Sequence, residues 1–366
     1  MSLPHYLNYP HIPILILTWL ITILLLPLII RFSGKMGALD QPGGHKAHAN
    51  AVSFLGGVAI FISFVTGIVV LPKIFDEYDK YNNVLDFITH SGNKQLFGIA
   101  ISGAIVFILG LVDDYKHLNA ILKLFAILAT TLLLNYFGIA ITLFSEIWMN
   151  VLVTVLWIAG VTSACNSLDH VDGATAGTSA ISAFFIFLIA WYAPEPQRWL
   201  SFVAAAVLGS SLGFLLYNFN PAKIYLGDNG AFFLGYTLSA MAILGGWSES
   251  PVKSLLIPGL LMAAPIYDIV LSTILRYKNN VVRSFPEAIL YCGQDHSTHR
   301  MMAHGLSKNV SVYVLYAINI MGGLIALSGL VLKTPGFICL VGLFVLGLCA
   351  LGKWLDECPK SKLYKQ

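Results

Sequence analysis

The sequence predicts an all-α, polytopic membrane protein of about eleven transmembrane helices, with its chemistry at the cytoplasmic face. Three observations lead there. Of 366 residues, 57% are hydrophobic and only 11% are charged, where a soluble domain carries about 25% charged residues. Apolar runs of membrane-crossing length recur along the whole chain, each near the roughly 20 residues a span needs. The unusual polar residues gather in alternate loops, on one side only.

The runs are 12–32, 53–72, 96–112, 119–138, 150–165, 174–193, 199–217, 231–247, 254–275, 310–332 and 335–352. Residues 1–11 hold no Lys or Arg, and the first basic residue, Arg31, follows the first run. No cleavable signal is expected there. The positive-inside rule then puts the N-terminus outside and the C-terminus, with Lys353, Lys360, Lys362 and Lys365, in the cytoplasm. With that assignment roughly 15 Lys and Arg fall inside and about 6 outside. The 5 cysteines (Cys165, Cys292, Cys339, Cys349, Cys358) lack paired spacing and read as small reduced apolar residues. Residues 1–366 read as a single membrane domain, without repeats or an appended soluble domain, and no nucleic-acid partner is expected.

The outer loops, 73–94, 194–198 and 248–253, read as connectors. The inner loops, 33–52, 113–118, 166–173, 217–230 and 276–309, carry Asp40, Lys46 and His48, then Asp113-Asp114, then Asn166, Asp169 and Asp172, then Gly227-Asp228-Asn229, and finally His296, His299 and Arg300. Asn166, Asp169 and Asp172 are three apart, a spacing that brings side chains together on one helix face. Asp113 and Asp114 repel as neighbouring anions, so one carboxyl pKa rises unless a cation compensates. A hard divalent ion would do so, taking oxygen ligands and bridging to substrate phosphates.

Gly227-Asp228-Asn229-Gly230 opens a helix, where Asp can cap and phosphate is favoured. Lys46, Arg300, His296 and His299 suit a substrate with several phosphates. A zinc site at His296, His299 and His304 lacks a fourth ligand of suitable spacing. Asp268, within an apolar run after Pro258 and Pro265, is either functional or a helix-end marker. Lys123 and Glu146 read as interface residues. A transporter or lipid flippase is the second reading, with ionisable groups near the midplane and broken helices, and a scaffold is the third. The gathering of carboxylates at helix ends favours an interfacial enzyme.

Taken together and in order, DQPGGHKAH, LVDDYKHL, NSLDHVDG, YLGDNG and PIYD resemble the polyprenyl-phosphate N-acetylhexosamine-1-phosphate transferases. The chain looks most like the bacterial enzymes that move GlcNAc-1-phosphate from UDP-GlcNAc to undecaprenyl phosphate with release of UMP, initiating cell-envelope polysaccharide synthesis. The resemblance spans nearly the whole chain. It implies an enzyme of the bacterial inner membrane, dependent on Mg²⁺ with Mn²⁺ as a substitute. Its substrates would be a UDP-N-acetylhexosamine and a bilayer-borne undecaprenyl phosphate; a homodimer is left open. It implies catalytic roles for Asp113, Asp114 and Asp169, with Asp228 and Asn166 at the metal. Lys46, His48, Asp172, His296, His299 and Arg300 would bind substrate.

Two positions depart from the family pattern: His170 stands where N-x-x-D-G has Gly, and Thr298 stands at the middle His of H-x-H-H-R. The missing triple His argues against the relatives that transfer phospho-MurNAc-pentapeptide, which are the alternative within the family.

Overall fold

The computed structural model describes residues 11–40, 51–74, 91–193, 197–284, 287–288, 291, 293–359 and 363. Apart from one short hairpin these residues are helical. The helices are α1 (His11–Ser33), α2 (Gly56–Ile74), α3 (Ser91–Lys116), α4 (Ala120–Tyr136), α5 (Ile147–Leu168), α6 (Ala174–Tyr192), α7 (Arg198–Asn218), α8 (Gly227–Leu244), α9 (Pro251–Leu261), α10 (Ala263–Lys278), α11 (Ser297–Ala303), α12 (Lys308–Ser328) and α13 (Thr334–Asp356). The hairpin pairs β1 (Leu39–Asp40) antiparallel with β2 (Val52–Ser53), Leu39 opposite Ser53.

Each apolar run of the sequence coincides with one helix, the ninth with the pair α9 and α10. Among the described residues seven helices are long and apolar enough to cross a membrane, or eight if that pair is one span. The count of eleven is therefore not reached on length and composition. The chain is a multi-pass membrane protein on this evidence, with α2 and α4 as shorter apolar helices. The polar first turn of α8, Gly227-Asp228-Asn229-Gly230, dilutes its apolar content.

α8 is the axis of the bundle. Asn229 through Ala242 are all buried, and the helix touches α2, α3, α5, α6, α7 and α9. A helix apolar all round belongs in a core. Phe61 of α2 stacks on Phe107 of α3 at 4.2 Å, and Phe233 of α8 meets Phe61 and Phe64 edge-on. At the polar end glycines let the backbones close. A Cβ on Gly57 would stand 2.2 Å from Asn229 Oδ1, and one on Gly110 would stand 2.5 Å from the Asp228 carbonyl oxygen.

The chain bends by 79° between α9 and α10. Pro265, in the first turn of α10, has no N–H to return to Leu261, four residues back. The freed Leu261 carbonyl accepts from Ser182 Oγ at 2.7 Å. The Ala264 amide donates to Asn319 Oδ1 at 3.1 Å, and Asn319 Nδ2 donates to the Thr178 carbonyl and to Ser182 Oγ. A broken helix in a membrane bundle needs such replacements, because lipid offers none. Asn319 is 1% exposed, so Asn319→Leu strands polar groups in the core. The variant is expected to lose about 1–3 kcal/mol of stability, read as a lower midpoint of thermal unfolding in detergent.

Candidate active site

The site is built around the start of α8. Gly227 takes φ +75°, a left-handed conformation open to glycine. The residue before it, Leu226, supplies no side-chain cap. The segment is held from β2: the Tyr225 amide donates to the Ser53 carbonyl, and Gly56 and Gly57 donate to the carbonyls of Tyr225 and Leu226. Asp114, at the end of α3, meets the exposed amides. Its Oδ1 accepts from the Asp228 amide at 2.8 Å, and its Oδ2 accepts from the Asn229 amide at 3.0 Å. Asn229 Nδ2 donates both to Asp114 Oδ2 and to the Phe54 carbonyl.

Asp228 lies at the meeting point. Its Oδ1 accepts from Asn166 Nδ2 at 2.7 Å. Its carboxyl is within hydrogen-bonding reach of the Asp113 carboxyl. Two carboxyls in such contact need a shared proton or a cation between them. Asp113 is 1% exposed and is held by the Leu118 amide at 2.6 Å and by Lys123 Nζ at 2.6 Å. The reading of Lys123 as an interface residue is thereby corrected: it is the counter-ion of Asp113. Asn119 caps α4 through the Ile121 amide, so the short turn after α3 folds the first turn of α4 back onto the pair.

The loop after α5 contributes Asp169 and Asp172. Burial, then the neighbouring carboxylates of Asp228 and Asp114, push the Asp169 carboxyl well above the ordinary range. Asp172 Oδ2 accepts from Lys308 Nζ at 2.8 Å. Gly173 takes φ +80° and starts α6, while His170 has no left-handed backbone. Asn166 and Asp169 hold the first and fourth places of N-x-x-D-G, with His170 in the glycine's place and the next glycine at Gly173.

Position 170 matters for another reason. His170 Nδ1 contacts the Ser167 carbonyl at 2.6 Å, so it carries the proton, and Nε2 accepts from Thr298 Oγ1 at 2.6 Å. The two positions that depart from the family pattern thus bond to each other. The His170 ring lies 4.6 Å from His296 and 4.6 Å from His299, centroid to centroid.

Beneath this stack, Asp268 Oδ2 meets His296 Nδ1 at 2.7 Å, and its Oδ1 accepts from the Ser297 amide and hydroxyl. Asp268 is therefore the anchor of the last loop, which settles it as more than a helix-end marker. Arg276 holds Asp295 with two bonds of 2.9 and 2.7 Å, and the Arg300 Nε donates to the Asp295 carbonyl. Arg300 is fully buried, so it braces the loop from below rather than facing a substrate. Arg276 and Asp295 had no signal in the sequence beyond being charged. Lys46 and His48 lie outside the described residues.

Asn166 presents its amide nitrogen to Asp228, which makes it a clamp on that carboxylate. Among the described residues no three His, Cys, Asp or Glu side chains converge as a metal cluster. Oxygens are nonetheless on offer: the contacting carboxyls of Asp113 and Asp228, and Asn229 Oδ1, buried without a hydrogen-bond partner.

Carboxylates, amides and imidazoles gather at one pole of a helical membrane bundle. The chain belongs to glycosyl transferase family 4. That family's pattern matches residues 96–246. A probable undecaprenyl-phosphate N-acetylglucosaminyl 1-phosphate transferase of Bacillus subtilis is 34% identical over 325 residues, 86% of this chain and 83% of the relative. An undecaprenyl-phosphate alpha-N-acetylglucosaminyl 1-phosphate transferase of Thermotoga maritima is 27% identical over 81% of this chain and 84% of its own length. A phospho-N-acetylmuramoyl-pentapeptide-transferase of Bacillus subtilis is 28% identical over 63% of this chain and 74% of its own length.

Burial and the neighbouring imidazoles lower His170 to about 3 and His299 to about 4. An unfolded His takes its proton near 6.5. Between these values the unfolded chain binds more protons, so stability is full above about pH 6.5 and falls with acid. Thermal unfolding midpoints measured from pH 7 to pH 4.5 should drop, and drop less in His170→Gln.

Proposed function

We propose that the protein transfers N-acetylhexosamine-1-phosphate, with GlcNAc as the sugar, from a UDP-sugar to undecaprenyl phosphate at the cytoplasmic face of the bacterial inner membrane. The observation that carries this reading is the Asp113–Asp228 contact beside Lys123 and Asn166, one cluster of anions with one cation at the pole of the bundle. Such a cluster suits phosphates carried with a divalent ion. The 34% identical relative bears a name with the same donor group and the same lipid. The N-terminus would lie outside and the C-terminus inside, by the distribution of Lys and Arg.

A route for the acceptor supports the reading. Between the bent α9–α10 pair and α13 runs an apolar groove of about 570 Å³, lined by Leu256, Ile266, Val270, Ile274, Phe344 and Leu348 and ending at Lys278 and Lys353. A polyprenyl chain fits such a wall, and at its end Lys353 and the Lys278–Asp356 pair face the lipid's phosphate.

Mg²⁺ would sit between Asp228 and Asp113, with Asn229 Oδ1 near, and when bound would neutralise charge on the donor's pyrophosphate. Lys123 holds Asp113 in place. The lipid phosphate attacks the sugar-linked phosphorus and UMP departs; one carboxylate of the Asp113-Asp114 pair takes the acceptor's proton. Asp169 adds a buried carboxyl to the wall, and Asp172 with the His170–His299 stack faces the donor. Direct attack is favoured because, among the described residues, no activated thiol stands in the site: Cys165 is buried.

A transporter would place its ionisable groups near the midplane. Here the bend at Pro265 is closed by Ser182 and Asn319, and the carboxylates stand at helix ends.

Purified protein given undecaprenyl phosphate, Mg²⁺ and UDP-GlcNAc should release UMP; EDTA should abolish the release, and Asp228→Ala should lower it by about a hundredfold or more. UDP-GalNAc and UDP-MurNAc-pentapeptide in parallel rank the donors, with the pentapeptide donor expected to be inert. Absence of UMP from every donor, in folded protein, would remove the transferase reading.

A further inference from the structure

The two adjacent carboxylates at the end of α3 have different surroundings. Consecutive helical residues point about 100° apart, so Asp113 and Asp114 address different neighbours. Asp113 touches a carboxyl and an ammonium group, Asp228 and Lys123. Asp114 accepts three hydrogen bonds, two from the backbone amides of Asp228 and Asn229 and one from the Asn229 side chain.

Those amides open a helix whose own N-cap residue, Leu226, offers nothing to them. First-turn amides have no partner within their helix, and a carboxylate there is also favoured by the helix dipole. The contact is close by construction. Gly110, one turn before Asp114, permits α3 to lie against the Asp228 backbone, and a Cβ on Gly227 would stand 3.0 Å from Asp114 Oδ2.

We infer that Asp114 is a positioning residue: it caps α8 from a neighbouring helix and so fixes where the Asp228 carboxylate stands. The catalytic half of this inference rests on the transferase reading above; the capping half does not.

Hydrogen exchange of the intact protein, followed by mass spectrometry on peptides covering 226–232, tests the cap without any variant. The first turn of α8 should exchange as slowly as its second turn; free exchange there would overturn the cap. Asp114→Asn should speed exchange of 226–232 by about tenfold, the size of a lost helix cap, and Asp113→Asn should leave it unchanged. Equal acceleration by both, or by neither, refutes the assignment.

UMP release supplies a readout that a purely structural role would not move. If Asp114 works through Asp228, adding Asp114→Asn to Asp228→Asn lowers the residual rate by less than about threefold, because contributions made through one group do not add. Losses that multiply would show independent roles and overturn the positioning role. If the unsubstituted protein releases no UMP from any donor, the transferase reading fails while the exchange results still decide the cap.

Discussion

Everything at the polar end depends on how the uncapped start of α8 is satisfied. A helix start buried in a bundle cannot turn to water for its amides. Here the solution comes from three directions: Asp114 from α3, the Phe54 carbonyl accepting from Asn229, and the β2 edge holding Tyr225 and Leu226. Close packing is the condition for all three, and Gly57 and Gly110 provide it. Asp228 inherits its location from this arrangement. Asn166 and the Asp113–Lys123 pair then converge on a carboxylate that is already fixed.

The same device recurs at the last loop. Asp268, a fully buried carboxylate on α10, accepts the Ser297 amide at the start of α11 and also orients His296. His170 then stands between His296 and His299 with both ring nitrogens engaged. Burial keeps His170 and His299 neutral, so the stack presents imidazole edges without the mutual repulsion of stacked cations. The charge at this end is carried by the Arg276–Asp295 and Lys308–Asp172 pairs instead.

Much of the fold was legible because membrane helices announce themselves by length and apolarity. Each apolar run became a helix, and the pair Pro258 and Pro265 marked the one that breaks. The polar residues of the inner loops did converge: Asp113, Asp114, Asn166, Asp169 and Asp228 form one cluster. What could not be read was pairing at a distance. Nothing local ties Lys123 to Asp113 more than to water, and nothing ties His170 to Thr298, far along the chain, or Asp268 to Ser297. Arg300 misled for a related reason: the sequence shows its charge but not that it is buried under the loop it was expected to project from.

The elbow between α9 and α10 is fastened on its inner side by Ser182 and Asn319, side chains of two other helices. It therefore behaves as a bracket, not a hinge. Its outer face is one wall of the groove, and the cost of shaping that wall is met when the protein folds. A chain sliding in from the bilayer exchanges one apolar neighbour for another and gains little from the contact itself. Selection among membrane lipids is then left to the charged end of the groove, where Lys353 and the Lys278–Asp356 pair line the wall, so headgroup and not tail would be what the protein tells apart.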